Sequence, residues 1–256
     1  MKKSKAASRL LSIFLILLMV TVCGSAKEVS AAEKEDASGS ITVTDMMGRE
    51  ITLDKPAEKV IALSAADCEI IYAIGAEDTL VGRGEYCDYP AEALEITSVE
   101  SGANTNIEQI RSLEPDVLFM ASMAQPKEQV DQLEAAGIKV LVSEAKDIDG
   151  VYTAIGLIGD VTGRREKADE VIGNMKDTFS KLKEKAAGDG SENMYFEVSP
   201  LEYGLWTAGN NTFMNEIASV IKVKNCFNDV EGWAEISEEQ VLERNPDYIV
   251  TISMYM

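Results

Sequence analysis

The sequence contains no histidine. This absence excludes Ser-His and Cys-His catalytic pairs, haem held by an axial histidine, and histidine-rich zinc or manganese sites. The four cysteines form no Cys-x-x-Cys pair, so a zinc site is not indicated. Neither a Gly-x-x-x-x-Gly-Lys nor a Gly-x-Gly-x-x-Gly motif occurs, which removes the familiar phosphate-binding loops. The sequence therefore predicts no catalytic residues and no metal site.

Basic residues are also scarce. The chain has 24 Lys and Arg against 44 Asp and Glu, a net charge of −20. The first 22 residues carry four basic and no acidic residues, so the remainder carries −24. Affinity for phosphate backbones and for anionic membrane surfaces comes from Lys and Arg, so neither nucleic-acid binding nor adsorption to such a surface is expected. The acidity is interpreted as a solubility feature.

Only one long apolar run is present, Leu10–Val22, and it follows a basic N-terminus. Its 13 residues are too few for a comfortable membrane span but suit the hydrophobic part of a secretory signal. Residues 1–22 are therefore predicted to be a signal peptide. The protein is expected to be exported, to the periplasm or to the outer face of the cell membrane.

A cysteine, Cys23, follows this run directly and resembles the lipid-accepting cysteine of a lipoprotein signal. Cleavage after Ala26 or Ala31 is the alternative, and both interpretations export the protein. Residues 23–40 are predicted to form a lipid anchor and flexible tether, because they are rich in Lys, Glu, Ala, Ser and Gly.

If Cys23 is lipidated, Cys68, Cys87 and Cys226 remain. A Cys68–Cys87 disulfide is one possibility in an exported protein. Two buried free thiols are the other.

Strand-like apolar runs alternate with helical patterns over residues 41–163, which predicts a parallel sheet covered by helices on both faces. Two short runs around Met47-Gly48 predict a hairpin at its edge. The predicted strands are 59–64, 79–82, 117–121 and 139–143, and the predicted helices are 65–74, 107–113, 127–136 and 149–161.

Residues 164–188 have apolar positions at helical spacing and no proline, which predicts one long helix joining this lobe to a second. The second lobe, 189–256, contains predicted strands at 194–198 and 248–252 and helices at 212–221 and 238–244. A lobe matching the first would need further elements, so it is expected to be incomplete at its C-terminal side. The predicted fold class is α/β, with two Rossmann-like lobes built on parallel sheets.

A similar sequence segment occurs once in each half of the chain. Residues 108–120 and 239–251 both begin with Glu-Gln, reach Pro-Asp seven residues later and continue into an apolar run. Before them stand polar N-caps, Asn106 and Ser237, each with a glutamine three residues on, which is a capping-box pattern. The repeat predicts two similar lobes and hence a cleft between them, where a ligand is expected.

These features resemble the solute-binding proteins of ABC importers for vitamin B12, haem and ferric siderophores, a bilobal family joined by one rigid helix. The resemblance is strongest to the vitamin B12-binding members and covers most of residues 56–254. The stretches that carry it are Lys59–Ser64, Tyr86-Cys-Asp-Tyr-Pro90, Asn106–Ile110, Glu128–Val140, Gly232–Ser237 and Glu239–Leu242.

The resemblance implies that Glu108 and Glu239, one on each lobe, dock into arginine pockets of the permease. A carboxylate that merely complements a helix dipole is the alternative for each. It also implies that Tyr86, Trp206 and Trp233 face the ligand, since a corrin or porphyrin is a large, mostly apolar plate. The chain departs from the family at 101–104 and 121–122, where the B12-binding members have tryptophans and this sequence has none.

The protein is expected to deliver a metal chelate to an importer permease and its ATPase, and a corrinoid is the first choice of ligand. It is expected to be a monomer without a resident cofactor. A ferric siderophore or haem is the alternative ligand. An anionic siderophore would need cleft arginines, and only Arg83 is placed near the expected rim. A chelatase-like enzyme on a similar scaffold is the alternative function.

Overall fold

The computed structural model describes residues 39–102, 105–121, 127–199 and 203–251. The predicted signal peptide, Cys23, the alternative cleavage sites Ala26 and Ala31, and the tether as far as residue 38 lie outside these ranges. Within the described part of the chain, no helix combines the length and the apolar character needed to cross a membrane.

The first lobe is built on a five-stranded sheet with the order β5-β4-β3-β6-β7, in which every pairing is parallel. A separate antiparallel hairpin, β1 with β2, confirms the predicted pair around Met47-Gly48. The strands of this lobe are β1 (Ile41–Thr44), β2 (Glu50–Leu53), β3 (Val60–Ala62), β4 (Leu80–Gly84), β5 (Ser98–Val99), β6 (Val117–Met120) and β7 (Val140–Val142).

Four helices follow strands of this sheet: α1 (Ala65–Ala73), α2 (Ile107–Ser112), α3 (Lys127–Ala135) and α4 (Ile148–Thr162). Each lies within two residues of its predicted bounds. The strands β3, β6 and β7 are buried along their whole length, as continuous apolar runs covered on both faces must be. Two apolar clusters flank the sheet, one containing Ile71 and Ile158 and the other Ile110 and Leu133.

The linker is a single helix of 21 residues, α5 (Arg165–Lys185), about 32 Å long at the usual rise per residue. It packs so closely on α4 that a Cβ added at Gly159 would lie 2.5 Å from the Cβ of Ala168. Only a glycine permits this approach. The α/β class and the helical linker are thus confirmed.

The second lobe carries a mixed sheet. Strand β8 (Asn193–Glu197) pairs in parallel with β10 (Lys224–Asn225) and β12 (Tyr248–Thr251), but it meets β9 (Leu205–Ala208) antiparallel. Strand β11 (Trp233–Ile236) is antiparallel to β9 as well. The second sheet is therefore mixed, whereas the sequence predicted a parallel one. Strands β9 and β11 were not predicted, because they do not alternate with helices along the chain.

The described part of this lobe also contains the helices α6 (Phe213–Val220) and α7 (Glu238–Arg244). The predicted capping box is complete at α7, where the Ser237 hydroxyl accepts from the Gln240 N–H and the Gln240 side chain accepts from the Ser237 N–H. At α2 it is only half formed. Asn106 accepts from the Gln109 N–H, but the Gln109 amide donates to the Ser98 carbonyl instead of returning to the cap.

A buried carboxylate, Asp67, joins the start of α1 to the residue after β7 at the edge where the strands of the first sheet end. The Asp67 side chain in the first turn of α1 is 1% exposed. It accepts hydrogen bonds from the hydroxyl of Ser64, which is the N-cap of α1, at 2.6 Å, and from the hydroxyl of Ser143, which follows β7. Burial raises the pKa of Asp67 to about 6, although both hydrogen bonds act to lower it.

This carboxyl group predicts a specific pH dependence of stability. Its pKa in the folded protein, about 6, lies above the value of 3.8 for a free side chain. The folded state then binds the proton more tightly, so this group's contribution to the free energy of unfolding falls as pH rises from about 4 to 6 and is constant above. Replacing Asp67 by Asn removes the titration. We expect the variant to gain stability relative to the parent protein across that window, by on the order of 1–3 kcal/mol.

Urea unfolding of the parent and Asp67→Asn at a series of pH values from 4 to 7 measures this difference. Asp131→Asn, on the exposed face of α3, is the matched control and is expected to show no such trend. A stability difference for Asp67→Asn that stays constant with pH would contradict the assignment.

Candidate functional site

The first half of the site is the edge at which β3, β4, β6 and β7 end, here called the carboxyl edge of the first sheet. Because these strands are parallel, the loops that follow them gather along this one edge. In open parallel sheets, ligands bind outside this edge. The Asp67–Ser143 contact lies here and keeps two of the loops together.

Tyr86 stands in the loop that follows β4. Its side chain is 77% exposed, whereas the next residue, Cys87, is 1% exposed. The Cys87 thiol anchors the loop by donating to the Ala62 carbonyl at 3.7 Å. The structure therefore places Tyr86 at the carboxyl edge, with its ring turned to solvent.

The second half of the site is formed by the antiparallel pair β9 and β11. In their register, Trp206 stands opposite Glu235 and Trp233 opposite Ala208. Directly paired residues share a face and so do residues two apart, so both tryptophans lie on one face of this pair. Trp206 is 36% exposed and Trp233 is 44% exposed, which leaves aromatic surface available for contact.

A third aromatic side chain joins them. The ring of Phe213, the first residue of α6, lies 6.4 Å from that of Trp233 at an interplanar angle of 59°, a tilted contact. The aromatic face is defined here as Trp206, Phe213 and Trp233. Phe213 was missed in the sequence, where it is one apolar residue after the N-cap Thr212, and no spacing distinguishes it from a core position.

One hydrogen bond connects this face with the first lobe. The Glu216 carboxylate on α6 accepts from the backbone N–H of Ile148 at 2.8 Å. Ile148 is the first residue of α4, which follows β7 after a short loop, so its N–H has no partner within its own helix. Phe213 and Glu216 are three residues apart and share one side of α6. The aromatic face therefore lies near the end of the second lobe that meets the carboxyl edge of the first sheet.

The three predicted ligand residues differ in how far they are brought together. Trp206 and Trp233 share a face, and Tyr86 stands on the other lobe. Among the described residues, the ring contacts are Phe213–Trp233 and Tyr195–Phe227, so Tyr86 and Trp206 keep their ring faces free of other aromatic rings. Their common role in ligand contact remains a prediction.

The two predicted docking residues stand in the first turns of their helices. The Glu108 side chain on α2 is 86% exposed and has a long ion pair of 3.7 Å with Arg111. Glu239 on α7 is also exposed. Hydrogen bonds from its own backbone N–H and from Ser237 lower the pKa of Glu239, so this carboxylate is charged at neutral pH. Both positions offer a solvated negative charge, as docking and plain helix capping alike require.

The charge around the site is informative. Arg83, at the end of β4, is 7% exposed, and its Nη1 donates to the Gly84 carbonyl at 3.1 Å. This arginine is thus buried beneath the loop, whereas the sequence placed it at the rim. Glu235 is exposed and stands opposite Trp206 in the strand register, on the aromatic face.

Other chemistry is not indicated by the described residues. None of them form a cluster of three or more Cys, Asp or Glu side chains that could hold a metal ion. Two cavities, of about 290 and 410 Å³, lie beside α5, and the larger also touches β1 and α4. Neither cavity includes Tyr86 or a residue of the aromatic face. The arrangement suits stacking on a flat apolar ligand.

Comparison with known proteins gives a family match. Residues 60–255 match the model of a family described as periplasmic binding protein. The chain is 33% identical over 248 residues to YvrC of Bacillus subtilis, an uncharacterized ABC transporter substrate-binding lipoprotein, covering 94% of this chain and 78% of that protein. It is 30% identical over 195 residues to a vitamin B12-binding protein of Yersinia pestis, covering 76% and 69%.

Among solved structures, the periplasmic vitamin B12-binding protein of Vibrio cholerae superposes with a TM-score of 0.68 at 28% identity. The superposition covers 78% of each chain. The bilobal architecture is therefore shared with a protein of known fold.

The contact between the lobes yields a prediction. Replacing Glu216 by Ala leaves the Ile148 N–H without its charged acceptor, and we expect the free energy of unfolding to fall by about 1–2 kcal/mol. Glu216→Gln keeps an oxygen acceptor but loses the charge, so its loss should be less than half as large. Urea unfolding provides the measurement.

Glu184→Ala, at the exposed C-terminal end of α5, controls for loss of a surface glutamate. Equal stability of Glu216→Ala and this control would show that the hydrogen bond contributes nothing to holding the lobes.

Proposed function

The chain belongs to the periplasmic binding protein family, and from this premise we propose that it captures a corrinoid, such as cobalamin, outside the cytoplasm and delivers it to an ABC importer. Proteins of this family are the substrate-binding components of such transporters and work with a permease and an ATPase. The corrinoid, the residues that contact it and the lipid anchor at Cys23 are our proposals.

The observation that carries the proposal is the aromatic face beside the carboxyl edge of the first sheet. Three aromatic side chains offer a broad apolar surface of the kind that a corrin plate can stack on. Tyr86, 77% exposed on the other lobe, is proposed to supply a ring from the opposite side of the cleft. A large flat ligand would be held between the two.

Charge supports a corrinoid over an anionic ferric siderophore. The arginine that could pair with an anionic chelate, Arg83, is buried and bonded to backbone carbonyls. The exposed carboxylate of Glu235 beside Trp206 repels an anionic ligand but accepts hydrogen bonds from amide groups. Corrinoids carry such amides at their periphery. Similarity to two vitamin B12-binding proteins supports the same ligand.

The proposed anchoring at the membrane rests on Cys23 and its position after the apolar run, and a relative named as a lipoprotein supports it. Glu108 and Glu239, one on each lobe and both exposed, are proposed to bind basic pockets on the permease. Both can bind at once only when the spacing of the two lobes matches that of the pockets. We further propose that the protein acts as a monomer.

Ligand binding can be read from the protein's own fluorescence. The chain has two tryptophans, and both lie on the aromatic face. Calorimetry with cobalamin, cobinamide, haem and a ferric siderophore identifies the ligand, and quenching of tryptophan emission reports where it binds. Tight binding of the siderophore without corrinoid binding would replace the proposed ligand.

Loss of one anchor tests the face directly. Trp233→Ala is expected to weaken cobalamin binding by about 1–3 kcal/mol, the usual cost of removing an aromatic anchor. Tyr248→Ala is the matched control, because Tyr248 is 45% exposed, close to the 44% of Trp233, and stands on β12. Its affinity should equal that of the parent. Equal affinity of all three proteins would place the ligand elsewhere.

Docking is tested in transport. Glu108→Ala and Glu239→Ala are expected to change the dissociation constant for cobalamin by less than about twofold, while the double variant lowers uptake by about tenfold, because such charge pairs govern encounter and register. Glu128→Ala and Glu238→Ala, exposed first-turn glutamates on α3 and α7, are the controls. Normal uptake by the double variant would contradict docking and leave helix capping as the role of Glu108 and Glu239.

A further inference from the structure

Two cysteines meet in the core beneath the Tyr86 loop. Cys68, on α1, is 0% exposed, and Cys87, in the loop after β4, is 1% exposed. Both are free thiols, and both belong to the same buried apolar cluster. The third described cysteine, Cys226, is half-buried in the second lobe and takes no part in this contact.

The backbone holds the pair in place independently of the sulfur atoms. A Cβ added at Gly84 would lie 2.3 Å from the Leu63 carbonyl oxygen, so the end of β4 lies against the backbone that joins β3 to α1. A turn from this point brings Cys87 inward, with its N–H donating to the Gly84 carbonyl at 3.1 Å. The chain path therefore brings the Cys87 side chain into the apolar cluster that contains Cys68.

In the folded protein, the surroundings shift the pKa values of the two thiols in opposite directions. The neighbouring Cys87 thiol and the positive charge of Arg83 lower the pKa of Cys68, against the opposing effect of burial. The neighbouring Cys68 thiol and burial raise the pKa of Cys87. The Arg83 side chain donates to the Gly84 and Glu85 carbonyls, and its Nε has no hydrogen-bond partner among the described residues, so its positive charge stays beside these thiols. The thiolate is the attacking species in disulfide exchange.

We propose that Cys68 and Cys87 are oxidised to a disulfide as the exported chain folds, and that this bond fixes the Tyr86 loop on α1. The oxidant is the disulfide of a thiol–disulfide oxidoreductase. One cysteine thiolate attacks it, forming a mixed disulfide and releasing one thiol of the oxidant. The second cysteine then attacks the mixed disulfide and releases the other thiol. Two electrons and two protons pass in total from the cysteine pair to the oxidant.

Burial sets the order of events. Neither thiol is accessible once the loop has closed, so oxidation precedes closure and the finished bond is protected from reductants. The bond would remove freedom from the segment between the two cysteines in the unfolded chain. Its consequence for the ligand rests on the proposed function: Tyr86 is held in its outward position before the ligand arrives, which lowers the cost of binding.

The bond itself is tested on the exported, full-length protein. The protein is unfolded in iodoacetamide without reductant and digested with trypsin, which cuts at Arg83 between the two cysteines. We expect Cys68 and Cys87 in one cross-linked pair of peptides and Cys226 alkylated. Separate, alkylated peptides for both residues would overturn the proposal.

Stability gives a second measurement that does not depend on a ligand. Protein refolded with oxidised glutathione is expected to melt about 5–10 °C above protein refolded with a reductant. The double variant Cys68→Ala, Cys87→Ala should lose this difference, and Cys226→Ala should keep it. A parent protein whose melting temperature is the same in both conditions would count against the proposal. A confirmed disulfide together with no corrinoid binding would refute the proposed ligand alone.

Discussion

The buried carboxylate of Asp67 is the contact on which the first half of the site depends. It joins the N-cap of α1 to the end of β7 at the edge where the parallel strands end. A carboxyl group without solvent is costly unless its oxygens are hydrogen-bonded, and two serine hydroxyls meet that need. Because the loops after β3 and β7 are held in this way, the loop that carries Tyr86 projects from a fixed base.

The second lobe offers a different kind of surface. Its antiparallel strands β9 and β11 bring two distant tryptophans onto one face, and the start of α6 adds Phe213. Glu216, one turn further along α6, reaches the first residue of α4 in the other lobe. The residue that hydrogen-bonds to the first lobe and the residue that widens the aromatic face thus share one short helix.

Local elements followed from the sequence because they depend on local chemistry. Apolar runs predicted the buried strands, and the predicted N-caps Asn106 and Ser237 each accept from the N–H three residues on. The strands β9 and β11 were missed, since they are short, lie between loops and pair with each other rather than following a helix. The capping box at Asn106 is only half formed, because the Gln109 side chain donates to the Ser98 carbonyl in β5 and does not accept from the Asn106 N–H.

The α/β class, the single linking helix and the family could be predicted from the amino-acid order, because they depend on periodicity, caps and motifs within short stretches. Which side chains meet could not. The Glu216 contact joins residues 68 positions apart, and Arg83, near the end of β4, is buried by the loop that follows the strand. Such contacts depend on the packing of whole elements, which no local pattern encodes, and they decide the charge and shape that a ligand encounters.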